Sequence, residues 1–181
     1  MWMSLLRARN LLDSSTTSKK KSFFFNSFFF FKLFDMDTKK YTYDNVKRWS
    51  KSFNIFEQEM VFIPINIGNA HWVLIVIFII LEKIEYYDST GGGGCATIYL
   101  NIILKYLEDE AKDKKTSSSF VKRNWNLVHR SDIPQQNNGY DCGVFVCIYA
   151  LLTYMTKSFS FTQSDMKLFR KSISLSILKC N

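Results

Sequence analysis

A single domain of mixed strands and helices is what this sequence predicts, and three observations predict it. Apolar runs rich in β-branched and aromatic residues crowd its middle, "MVFIPI" (Met60–Ile65) and "HWVLIVIFI" (His71–Ile79) above all. Helix-periodic stretches follow, of which "ATIYLNIILKYLEDEAKDKK" (Ala96–Lys115) is the most regular. No internal repeat and no linker splits residues 1–181, a length at which folding buries roughly 70% of the unfolded chain's surface.

Residues 4–12 read as the end of a helix, with Leu5, Leu6, Leu11 and Leu12 on one apolar side. The polar, low-complexity residues 13–22 read as a flexible loop. "SFFFNSFFFFKLF" (Ser22–Phe34) is the densest part of a chain with 17 Phe, and its periodicity fits helix or strand equally. Tyr43–Phe53 suits a short helix capped by Asp44, with Val46 and Trp49 on one face.

Met60–Ile65 is expected to be a strand ending near Pro64, and the His71 run a strand buried on both faces. A turn around Phe78–Lys83 then leads into a third strand, Lys83–Ser89. Gly91–Gly94 lacks the spacing and the lysine of a phosphate cradle and reads as a strand-to-helix turn. The strand Trp125–Arg130, a helix from Cys142 to about Met155 and a last helix over Thr162–Lys179 complete the order.

Composition excludes some function classes. The net charge of +8 suits an acidic partner, but no basic stripe interleaved with aromatics and no helix-turn-helix or zinc-finger spacing supports nucleic-acid binding. The longest apolar run, Trp72–Leu81, is about half of the roughly 20 residues a membrane span needs, and no secretory signal is expected. An intracellular setting follows, in which Cys95, Cys142, Cys147 and Cys180 are thiols rather than bridges.

The polar stretch "DIPQQNNGYDCGVF" (Asp132–Phe145) ends on a cysteine at the mouth of an apolar helix. Cys142 there reads as a core residue, a metal ligand, half of a disulfide or a nucleophile. Metal is poorly served, because Cys142 and Cys147 lack C-x-x-C spacing and the chain has only two His. A helix N-terminus favours thiolate, and an adjacent imidazolium would favour it further. His71 opens one strand of the expected hairpin and Asp88 ends the other, so the two are expected to face each other, Asp88 accepting from Nδ1–H and leaving Nε2 as base. Gln136, six residues before Cys142, is placed to donate to an oxyanion beside the Cys142 N–H, and Gly143 leaves the thiol uncrowded. His129 lacks a carboxylate partner and reads as structural; Cys147 reads as core.

Taken together, "FIPIN…HW" (Phe62–Trp72), "YYDS" (Tyr86–Ser89) and "IPQQNNGYDCGVFVC" (Ile133–Cys147) resemble, in order and spacing, the His, Asp and Gln/Cys blocks of the SUMO-specific (sentrin/Ulp-type) cysteine proteases. "YDNVKRW" (Tyr43–Trp49) and "FTQSDMKLFRKSI" (Phe161–Ile173) resemble their flanking segments. The resemblance implies an α+β, papain-like fold with a central mixed β-sheet flanked by helices. It implies cleavage after the C-terminal Gly-Gly of SUMO or another ubiquitin-like modifier and its protein conjugates. His71 would be base, Asp88 its orienter, Cys142 nucleophile, Gln136 oxyanion donor, and Trp72 part of a tunnel that admits only glycine. No cofactor and no metal are implied, a monomer is expected, and the nucleus or nuclear envelope is the implied location, with the cytoplasm as the alternative.

Two departures stand out. The Trp-Leu-Asn-Asp-like stretch that family members carry near the domain start has no counterpart, so an N-terminally shortened domain is expected, and Trp2 sits too late to replace it. The turn "FIILEK" is apolar where relatives are charged, which suggests a partner surface. Two rival readings follow: a protease for a different ubiquitin-like modifier, and a domain that binds a modifier without turning it over.

Overall fold

A computed structural model describes Met3, Leu6, residues 21–115 and residues 124–179. The helix expected over 4–12, apart from Leu6, and most of the loop expected over 13–22 lie outside the described residues, as does Cys180. At the loop's far end Ser22 is not loop. It is buried and opens the strand β1 (Ser22–Phe24).

Five strands form the main sheet: β1, β4 (Met60–Ile67), β5 (His71–Phe78), β6 (Lys83–Tyr87) and β7 (Asn126–Arg130), side by side in that order. The two outer pairings are parallel and the two inner ones antiparallel, so the sheet is mixed. A small antiparallel pair, β2 (Phe34–Asp35) with β3 (Lys40–Tyr41), lies apart from it. The helices are α1 (Phe28–Leu33), α2 (Ala96–Asp113), α3 (Cys142–Tyr154) and α4 (Met166–Leu178).

Side-chain alternation along β5 separates two cores. Val73, Ile75 and Ile77 point into one with Phe25, Phe29, Phe30, Ile103 and Tyr106, while Leu74 and Val76 point into the other with Phe145, Tyr149 and Phe161. The sheet is therefore a middle layer, with α1 and α2 on one face and α3 and α4 on the other. Both faces of β5 are buried, which is why its sequence is continuously apolar. Met3 and Leu6 bury their side chains in the α3-side core.

Pro64 does not end its strand. It pairs with Leu74 inside β4, and this is tolerated because the β1 ladder stops at Phe62, so no neighbour asks Pro64 for an N–H on that side. The Phe-rich segment turns out to be both strand and helix: Phe24, Phe25, Phe29, Phe30 and Phe34 are buried, and Phe28 and Phe31 stand out in solvent. Near Tyr43 the chain makes one short 3-10 turn, Tyr43–Asn45, preceded by Thr42. Asp44 caps nothing there and pairs with Lys47 at 2.7 Å.

Candidate active site

The sheet carries one half of the site. His71 opens β5 and Asp88 follows the last residue of β6. They are not directly opposite, as the hairpin reading expected. Leu74 pairs with Tyr87, and continuing that ladder sets Asp88 against Val73 and His71 against Thr90. The two-position offset comes from the turn, four residues (79–82) between paired Phe78 and Lys83, with Glu82 in the left-handed region at φ 50°. Diagonal neighbours are still within reach of long side chains, and ring and carboxylate meet at 2.8 Å.

The nitrogen that meets Asp88 is Nε2, not the expected Nδ1. His71 Nε2–H donates to Asp88 Oδ1, which leaves Nδ1 as the ring atom available for proton transfer. Asp88 is only 3% exposed, and a buried carboxylate needs donors. Besides His71 it accepts from the Thr90 N–H at 2.9 Å and the Thr90 hydroxyl at 2.7 Å, both on Oδ1, and from the Tyr86 hydroxyl at 3.4 Å on Oδ2. Burial and then the Asp88 charge push the Tyr86 phenol up, which keeps it a donor.

The other half is a loop and a helix start. Cys142 is the first residue of α3 and is buried. The chain turns into the helix at Asn138, whose side-chain oxygen accepts the N–H groups of Tyr140 and Asp141. Val144 and Phe145 then donate to the Asp141 carbonyl, while the Cys142 N–H has no acceptor among the described residues. Asp141 is buried too. Its carboxylate takes hydrogen bonds from Asn138, Gln163 and Arg170; burial pulls its pKa up, but these donors outweigh burial and hold the group below its ordinary value. The Tyr149 hydroxyl, two turns along α3, pins the same loop through the Pro134 carbonyl.

Gln136 joins the halves. Its N–H donates to the Ser89 carbonyl at 2.7 Å and its side-chain oxygen accepts from the Ser89 hydroxyl at 2.6 Å, so Asp88's neighbour fixes which way the amide faces. One N–H of the amide goes to the Asn138 carbonyl, which leaves one for another acceptor. Trp72 bridges the halves on the opposite side: a Cβ added at Gly143 would lie 3.6 Å from its ring. The indole thus rests beside the residue after Cys142, which sets the start of β5 next to the start of α3.

His129 stays outside this group, in β7, its ring against Tyr86 and Gly93. Burial pushes the Cys147 thiol up to about 12, so it remains protonated at neutral pH. Neither Cys95, Cys142 nor Cys147 is in a disulfide. Among the described residues, no group of three or more His, Cys, Asp or Glu is arranged to hold a metal ion, and no helix is long and apolar enough to cross a membrane. Sequence reasoning missed Ser89, Thr90 and Tyr86. An Asp followed by two hydroxyl residues is the signal that was there to find, since such residues readily bond back to a neighbouring side chain.

Residues 1–180 match the Ulp1 protease family, C-terminal catalytic domain. Human sentrin-specific protease 2 is 41% identical over 137 residues, covering 75% of this chain and 23% of its own length. The sentrin-specific protease of Caenorhabditis elegans is 38% identical over 137 residues, 75% of this chain and 19% of its own. The chain thus spans about a quarter or less of these relatives. Among solved structures, the C-terminal Ulp1 protease domain in complex with Smt3, the yeast ortholog of SUMO, superposes with a TM-score of 0.76 at 30% identity, over 94% of this chain and 72% of that one. The α+β architecture with a central mixed sheet is therefore the Ulp1 protease fold. This chain belongs to the Ulp1 protease family, and the part of the family it matches is the catalytic domain.

Proposed function

We propose that this domain is a thiol peptidase that cleaves after the C-terminal Gly-Gly of a ubiquitin-like modifier, with SUMO the first choice. The observation that carries the proposal is the His71–Asp88 pair at 2.8 Å, at the start of β5 where Trp72 rests beside the Cys142 helix start. SUMO is favoured because the sentrin-specific proteases are the relatives at about 40% identity and because the Ulp1 structure holds a SUMO ortholog.

His71 Nδ1 takes the Cys142 proton, and the thiolate adds to the carbonyl carbon of the second glycine. The oxyanion is met by the Cys142 N–H and the remaining N–H of Gln136. The tetrahedral adduct collapses, the carbon–nitrogen bond breaks, and the amine leaves with the proton from Nδ1. Water then gives one proton to Nδ1 and attacks the thioester; the carbon–sulfur bond breaks, leaving Cys142 as thiolate, and the modifier's carboxylic acid loses its proton to solvent. Asp88 holds Nε2 throughout and stabilises the imidazolium without taking its proton. The indole of Trp72 narrows the approach so that a glycine tail passes and a side chain does not.

The test is labelling with SUMO carrying a C-terminal electrophile, beside a ubiquitin probe and a Cys142→Ser control. A Cys142-dependent SUMO adduct is expected. An adduct with ubiquitin alone would change the modifier, and none from folded protein would overturn the peptidase reading in favour of a modifier-binding domain. A location in the nucleus or its envelope belongs to the same reading, rests on the family likeness, and is checked by imaging a tagged chain.

A further inference from the structure

Asp88 has three close donors, and two of them come from one residue. Thr90 supplies its N–H at 2.9 Å and its hydroxyl at 2.7 Å to Oδ1, the oxygen that also holds His71 Nε2 at 2.8 Å. Any residue at position 90 offers the N–H. Only a hydroxyl side chain offers the second bond, and Thr90 turns its hydroxyl inward on Asp88 although the residue as a whole is exposed.

The glycines that follow are shaped around this pair. Gly91 sits in the left-handed region at φ 71°, with its N–H on the Asp88 carbonyl at 3.3 Å, so the chain reverses within four residues. It also passes so close to Gln135 that a Cβ would lie 2.9 Å from that amide. At Gly92 a Cβ would lie 3.3 Å from the Thr90 hydroxyl and 3.6 Å from Asp88 Oδ2. Gly92 thus lies over the Thr90–Asp88 contact, where a side chain would press on it, while Gly91 lies against Gln135.

We infer that Thr90 is a positioning residue for the reaction: through its hydroxyl, held under the Gly91–Gly92 turn, it locks the Asp88 carboxylate in the rotamer that aims His71. The ring cannot set the carboxylate that is meant to orient it, so the other donors must. The Thr90 hydroxyl is the shortest of these at 2.7 Å, on the same oxygen that holds the ring, with the Thr90 N–H beside it at 2.9 Å and the Tyr86 hydroxyl on Oδ2 at 3.4 Å. The effect on turnover rests on the peptidase reading above; the effect on the ring does not.

The test is Thr90→Val, which replaces the hydroxyl with a methyl at nearly constant volume, compared with Thr90→Ser, which keeps the donor. Because residue 90 is exposed, both variants are expected to melt as the parent does. Thr90→Val should lose about 10-fold in kcat at unchanged KM for a SUMO-conjugate substrate, and Thr90→Ser should restore it. Independently, the His71 Nε2 proton should give a downfield proton resonance in the parent and in Thr90→Ser, and a broadened or absent one in Thr90→Val. Parent-like turnover and resonance in Thr90→Val would overturn the inference, as would an equal loss in Thr90→Ser. If the parent itself turns over no modifier, the peptidase reading fails and the resonance alone decides the role of Thr90.

Discussion

The two halves of the candidate site are held in place by different means. His71 and Asp88 belong to the sheet: His71 is laddered to Ile67 of β4 and Asp88 directly follows Tyr87, the last paired residue of β6, so the backbone sets their positions. Gln136 and Cys142 belong to a loop and a helix start, where side chains set them: Ser89 on Gln136, Asn138, Gln163 and Arg170 on Asp141, Tyr149 on Pro134. Backbone ladders survive most single substitutions. A side-chain network does not, because each lost partner leaves a buried polar group unmatched. The sheet half should therefore fail only when its own reacting groups or Thr90, the close support of Asp88, change, and the loop half should also fail from a distance.

The largest effects should fall equally on the two halves, because the reacting groups act as a unit. Cys142→Ala and His71→Ala are each expected to lower kcat by more than about 1,000-fold, and the double variant by hardly more than either alone. Steady-state cleavage of a SUMO-conjugate substrate checks this. Additive losses would mean that His71 and Cys142 do not act together.

One step down, the halves should begin to differ. Gln136→Ala removes a proposed oxyanion donor and is expected to cost about 100-fold in kcat with little change in KM. Ser89→Ala leaves Gln136 in place but frees its amide to turn, so a loss of several-fold is expected, read in the same assay. Should Ser89→Ala cost as much as Gln136→Ala, the orientation of the amide would be the whole of its contribution. Should it cost nothing, the backbone contact to Ser89 would suffice by itself.

The same division explains what was legible in the sequence. The strands were, because burial on both faces of β5 forces a continuous apolar run that a single sequence displays. The candidate residues of the site were named from block order and spacing, and of them the structure pairs His71 with Asp88. Register was not: a four-residue turn with Glu82 in a left-handed conformation shifts His71 two places from the residue opposite Asp88, and counting from the middle of a hairpin cannot detect it. The ring nitrogen was not legible either, since it depends on a rotamer set by three-dimensional reach. In the loop half the supports come from 47 residues upstream in Ser89 and 29 downstream in Arg170, and no local pattern announces such contacts. The Phe-rich segment was ambiguous because it is two elements, a strand and a helix, each burying its own phenylalanines.

The smallest effect concerns acid, and it too should separate the halves. Each has a buried carboxylate held below its ordinary pKa against the pull of burial. In the sheet, Glu85 is held by Lys83, Tyr87 and Arg130; in the loop half, Asp141 is held by Asn138, Arg170 and Gln163. A carboxylate whose folded pKa is depressed stabilises the fold fully above its unfolded value, about 4, and that contribution is lost as pH falls through the folded value. Stability should thus be flat above about pH 5 and fall below about pH 4. Arg170 is half exposed, so its bond to Asp141 is discounted for solvent, and Arg170→Met should cost about 1 kcal/mol at neutral pH. It should also make the acid fall shallower, because less of the Asp141 depression remains to be lost. Thermal melts of parent and variant from pH 3 to pH 7, with probe labelling at each pH, read both effects. If Asp141 anchors the loop half, labelling in the variant should weaken at a pH where the melt still shows an intact sheet. If labelling and melting fall together, the two halves are one cooperative unit and the difference in their supports has no separate consequence.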